Sequence, residues 1–173
     1  MSEAARIQAL AAALGAQLQA RGLMLAAAES CTGGGIGFAV TQIAGSSAWF
    51  DRGFVTYSNA AKQQQLGVPA AALRAHGAVS ETVARAMALG ALAHSAAQVA
   101  VAVTGIAGPG GGTPAKPVGT VWLAWALRRQ AAEFVVVTER HRFRGDRAAV
   151  RTRAIVVALD GLLRLLDSPA TAD

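Results

Sequence analysis

Two short apolar runs, Leu23 to Ala28 and Val99 to Thr104, constrain this chain more than any other feature. Both have the length of a strand rather than of a helix. A strand with no polar alternation is buried on both faces, which requires helices packed above and below it. The segments around the two runs supply those helices. Ile7, Leu10, Ala11, Leu14 and Leu18 recur at helical spacing, and Gly22 ends the pattern. Gly33 to Ala44 reads as a helix whose start is weakened by adjacent glycines. Asn59 reads as the N-cap of a short helix through Leu66, which Gly67-Val68-Pro69 breaks. Ser80 caps a longer helix to about Ser95, with Glu81 in its first turn. Asp146 starts a last helix that carries Val150, Ala154, Val157, Gly161 and Leu165 on one face.

Phe50 to Tyr57 is β-prone, and Val118 to Leu127 with Glu133 to Thr138 reads as a strand pair. Strands and helices alternate first, and then two strands follow one another. The expected fold class is therefore α/β, a three-layer α/β/α sandwich with a mixed, mostly parallel sheet. Its 173 residues fit one domain, expected over 1–167 with a frayed tail at 168–173.

Hydrophobic residues make up 53% and charged residues 15% of the chain, which excludes a disordered protein. No apolar stretch reaches the roughly 18 residues of a membrane span, and the N-terminus lacks the pattern of a signal peptide. Cys31 is the sole cysteine and has no internal disulfide partner, so a cytoplasmic setting is expected. The net charge is +6. The basic residues cluster late in the chain, with nine arginines from Arg128 onward, interleaved with apolar residues rather than aromatics. That distribution matches no nucleic-acid-binding module. It suits a solvated basic face or a site for a small anion.

Ser30 lies between the first apolar run and the helix that follows it. At such a junction the sheet fixes the turn, and free helix N–H groups point at whatever occupies it. Amides of Thr32, Gly33 and Gly34 could stabilise an oxyanion, each donor contributing about 10²–10³ in rate. The turn is not the G-x-S-x-G elbow. By spacing alone, Ser30 or Thr32 could equally cap the helix, the turn could bind a phosphate, and Cys31 is a rival nucleophile. His76, His94 and His141 show neither metal spacing nor an evident partner, and no Cys/His cluster for zinc exists. Lys62 is the better base. It falls in the first turn of a helix, where the positive end disfavours its protonated form, as burial would too. The chain has two lysines against fourteen arginines, and arginine cannot serve as a base. Tyr57 could orient the Ser30–Lys62 pair or relay a proton. A glycine-rich loop from Gly105 to Gly112 follows the second apolar run, a common place for a ligand. Arg147 could hold a phosphate or carboxylate.

Seven ordered segments resemble one family. They are Ala28-Glu29-Ser30-Cys31-Thr32-Gly33-Gly34, Gly45 through Phe50, Tyr57-Ser58-Asn59 with Lys62, His76 through Glu81, Thr104 through Gly111, Lys116 through Val121, and Phe143 through Arg147. The family is the C-terminal domain of competence-damage-inducible protein A, here resembling its stand-alone form without the usual amino-terminal partner domain. The match spans about residues 5 to 167. Ala115 departs from the polar residue common at its position. The resemblance implies hydrolysis of the carboxamide of nicotinamide mononucleotide to nicotinic acid mononucleotide and ammonia, in pyridine nucleotide salvage. It implies catalysis by Ser30, Lys62 and Tyr57, with no essential metal, in a homodimer; no other cofactor, no nucleic-acid partner and no membrane association are expected. Thr32, Gly33, Gly34, Asn59, Thr104, Gly105, Gly108 and Arg147 are the expected substrate-binding residues. The alternatives are a non-catalytic nucleotide-binding module and a DNA-associated accessory protein.

Overall fold

The computed structural model describes residues 2–130 and 133–168. Five strands form one sheet: β1 (Leu25–Glu29), β2 (Phe50–Val55), β3 (Val99–Gly105), β4 (Thr120–Gln130) and β5 (Glu133–Arg142), in the spatial order β2-β1-β3-β4-β5. β1 pairs in parallel with both β2 and β3, whereas β4 runs antiparallel to β3 and to β5. The sheet is mixed as expected. Four strands share one direction and β4 opposes them, so neighbour pairings divide evenly between parallel and antiparallel.

Six α-helices cover the sheet: α1 (Glu3–Ala20), α2 (Gly35–Thr41), α3 (Asn59–Leu66), α4 (Ala70–His76), α5 (Glu81–Ala93) and α6 (Arg147–Asp167). The two sheet faces differ in side-chain size. One carries Leu25, Val99, Val101, Val103, Leu123 and Trp125 against α1, α2 and α6. The other carries Ala26, Ala28, Ala100, Ala102, Ala124 and Ala126 against α5 and its neighbours. Strand alternation thus sorts valine to one layer and alanine to the other. A flat alanine face lets α5 approach closely through its own Ala84, Ala88 and Ala91. At Gly90 on α5 the approach is closer still, because a Cβ there would sit 2.1 Å from the Leu66 carbonyl oxygen.

Several boundaries differ from the sequence reading. The helix expected from Gly33 starts only at Gly35, since Gly33 (φ 59°) and Gly34 (φ 94°) are both left-handed. Ser58, not Asn59, caps α3; its hydroxyl accepts the Ala61 amide, and Asn59 is the first helical residue. The break at Gly67-Val68-Pro69 is followed by a helix, α4, in a segment to which the sequence reading assigned no element. Pro69 caps α4, because its fixed φ suits a helix start and its lacking N–H is no loss there. β5 runs to Arg142 rather than stopping at Thr138. The expected frayed tail lies, beyond Ser168, outside the described residues.

Candidate active site

The chain leaves β1 for β2 on one side of it, and β3 lies on the other. The crevice beyond the C-terminal ends of β1 and β3 is thus a topological switch point, where open α/β sheets bind ligands. Backbone bonds extend the sheet into this region: the Ser30 amide donates to Val103 O at 3.0 Å and the Thr56 amide to Glu29 O at 2.8 Å. A cavity of about 210 Å³, open to solvent, lies here. Its lining includes Ser30, Tyr57, Lys62, Val79, Thr104 and Arg147. That volume lies below the range of about 300–1,000 Å³ usual for small-ligand sites, so the walls enclose only part of a larger ligand.

Lys62 reaches the cavity from the first turn of α3 and is 1% exposed. Its Nζ lies 3.0 Å from Ser30 Oγ, 2.8 Å from Thr56 O and 3.3 Å from Tyr57 O. No ion pair among the described residues includes it. Burial without a counter-charge penalises the ammonium and holds the Lys62 pKa below its ordinary value of 10.5. Cys31 is also buried, and there burial pushes the thiol up to about 11. A thiol with that pKa is almost wholly protonated at neutral pH and is a poor nucleophile.

Glu29 has a role that the sequence reading did not assign. It is 1% exposed, and its carboxylate accepts three bonds: from Thr32 Oγ1 at 2.6 Å, the Ile36 amide at 2.9 Å and the Gly37 amide at 2.8 Å. The left-handed Gly34 offers no side chain to cap α2, so Glu29 caps it from the preceding strand. The sequence signal was an acid at the end of an otherwise apolar strand. Arg151 was also unassigned; it reaches from α6 to donate to the Thr32 carbonyl at 2.9 Å. The turn bearing Ser30 is therefore pinned on both sides.

The other expected site residues fall as follows. The Gly33 amide already donates to the Ser30 carbonyl at 3.0 Å, so it is not free for an oxyanion as expected. Thr104 lines the cavity, and its hydroxyl donates to the Ala78 carbonyl across it. Gly105 permits close strand contact, since a Cβ would lie 2.7 Å from Val121 Cγ2. The Gly108 carbonyl accepts a bond from Arg147 Nη1 at 2.9 Å. Tyr57 touches Lys62 through its carbonyl, while its hydroxyl accepts from Arg147 Nη2 at 2.9 Å. Asn59 is exposed and does not line the cavity. No group of three or more His, Cys, Asp or Glu side chains fit to hold a metal ion occurs among the described residues. No helix among them is long and apolar enough to cross a membrane.

Comparison with known proteins places this chain in a family. The model of the CinA C-terminal domain matches residues 7–166. A nicotinamide-nucleotide amidohydrolase, PncC, from Pseudomonas putida is 55% identical over 159 residues, covering 92% of this chain and 96% of that protein. PncC of Escherichia coli K12 is 54% identical over 149 residues, covering 86% and 88%. The crystal structure of competence/damage inducible protein CihA from Agrobacterium tumefaciens superposes with a TM-score of 0.89 at 47% identity, covering 94% and 96%. The chain belongs to the CinA C-terminal domain family.

Proposed function

We propose that this protein hydrolyses the carboxamide of nicotinamide mononucleotide, giving nicotinic acid mononucleotide and ammonia. The observation that carries this reading is the buried Lys62 Nζ at 3.0 Å from Ser30 Oγ, with no carboxylate to hold it charged. The names of the close relatives supply the substrate.

The chemistry follows from Lys62's three oxygen neighbours. A neutral amine has two N–H donors and one lone pair. The Thr56 and Tyr57 carbonyls can only accept, so they take the two donors. The lone pair is left facing the Ser30 hydroxyl. Lys62 removes the Ser30 proton as the Oγ–C bond to the carboxamide carbon forms. Thr32 and Gly34 amides hold the oxyanion, and Lys62 passes its proton to the departing nitrogen as the C–N bond breaks. Ammonia leaves an ester on Ser30. Water then adds to the ester carbon, giving its proton to Lys62, which returns it to Ser30 Oγ as the acid departs. The chain's own groups balance the cycle without a metal or cofactor. The same reading takes residues 1–167 as one domain working as a cytoplasmic homodimer, with no nucleic-acid role.

The test is ammonia release from the mononucleotide by wild type, Ser30→Ala, Lys62→Ala and Cys31→Ala. Ser30→Ala and Lys62→Ala lose activity and Cys31→Ala keeps it. An active Ser30→Ala, or an inactive but folded Cys31→Ala, overturns the assignment.

A further inference from the structure

Arg147 and Tyr57 make a contact that amide chemistry at Ser30 does not use. Arg147 is the first residue of α6 and lines the mouth of the cavity. Its guanidinium is fixed at two points, by the Gly108 carbonyl on Nη1 and the Tyr57 hydroxyl on Nη2, each at 2.9 Å. Two of its five N–H donors are engaged and three remain. No ion pair among the described residues includes Arg147, so no carboxylate occupies its remaining donors. Asp146, the nearest acid in sequence, is committed to the Ala149 amide at 2.8 Å. The Tyr57 ring is exposed, and only its carbonyl reaches Lys62.

We propose that Tyr57 is a positioning residue for the substrate's phosphate: its hydroxyl sets the Arg147 guanidinium, and Arg147 holds the 5′-phosphate at the cavity mouth. Tyr57 then moves no proton at Ser30. A guanidinium held at two points keeps a fixed plane, which suits bidentate contact with phosphate oxygens. The inference rests on the proposed mononucleotide substrate and assigns its phosphate end.

The readout is phosphate discrimination, the ratio of kcat/KM for nicotinamide mononucleotide to that for nicotinamide riboside. Tyr57→Phe removes one bond to a charged group and lowers the ratio about tenfold, through KM for the mononucleotide. Arg147→Ala lowers it further, and Tyr57→Phe added to Arg147→Ala changes it no more, because the two act as one unit. If riboside turnover is too slow to measure, the Ki of ribose 5-phosphate rises about tenfold in Tyr57→Phe. An equal kcat loss on both substrates, with the ratio unchanged, overturns the inference and restores a proton-relay role. If wild type binds the mononucleotide without releasing ammonia, the proposed activity fails. Calorimetry still decides the phosphate contact by the same comparison of Tyr57→Phe with wild type. Mononucleotide affinity equal in the two proteins overturns it.

Discussion

Replacing Glu29 by Gln tests whether that side chain organises the turn bearing Ser30. The carboxylate receives three donors: the Thr32 hydroxyl and Ile36 amide on Oε2, and the Gly37 amide on Oε1. A glutamine amide has one acceptor oxygen and an NH₂ group. With NH₂ in the Oε1 position, the Gly37 amide faces another donor. With NH₂ in the Oε2 position, the Thr32 hydroxyl can rotate to accept, but the Ile36 amide cannot. Either rotamer loses one helix amide, at about 1–3 kcal/mol for a buried donor left unpaired. Loss of the negative charge at the N-terminus of α2 adds about 0.3–1 kcal/mol. The expected cost is about 1–4 kcal/mol, which for a chain of this size lowers Tm by about 3–16 °C. Thr32→Val keeps both helix amides capped and costs less. Scanning calorimetry of the two variants beside wild type gives the comparison. A Glu29→Gln protein that melts within about 2 °C of wild type refutes the capping argument.

Two further outcomes follow from packing and charge. Gly90→Ala places a methyl group 2.1 Å from the Leu66 carbonyl oxygen, a backbone atom that cannot swing aside. It costs at least about 1–3 kcal/mol by overpacking, read as a lower urea midpoint; an unchanged midpoint shows that α3 and α5 separate freely. Because burial lowers the Lys62 pKa, the unfolded chain holds a proton that the folded chain has released, between the lowered folded value and 10.5. Unfolding then takes up a proton, so stability rises with pH across that window and the burial penalty is fully present below it. Lys62→Met abolishes this contribution, which shows in urea unfolding at a series of pH values as a flatter stability profile. An identical slope in both proteins contradicts a lowered Lys62 pKa.

The fold was legible where burial dominates. Leu23 to Ala28 and Val99 to Thr104 mark β1 and β3, because only central strands are apolar on both faces. Failures came where local chemistry competed. Ser58 and Asn59 are both good caps, and nothing local to the sequence chooses between them. Pro69 was read as a stop although it also begins α4. In the site, Lys62 stood out as a base for Ser30 by its place in the first turn of a helix and by the scarcity of lysine, but no spacing rule brings together two residues 32 apart. The three engagements of Glu29 and the two bonds of Arg147 depend on side-chain geometry across elements, and the Gly33 amide's bond to the Ser30 carbonyl depends on the local turn; periodicity carries none of these.

The measurement that bears most directly on the Ser30–Lys62 pair is kcat/KM for ammonia release as a function of pH, in wild type and Lys62→Met. If neutral Lys62 is the base, log kcat/KM for wild type rises with unit slope and levels off at an apparent pKa below 10.5. Lys62→Met is lower by at least about 10²–10⁴ and lacks that rise. The same rising limb in Lys62→Met, or activity within about tenfold of wild type, would contradict the pairing of Ser30 with Lys62.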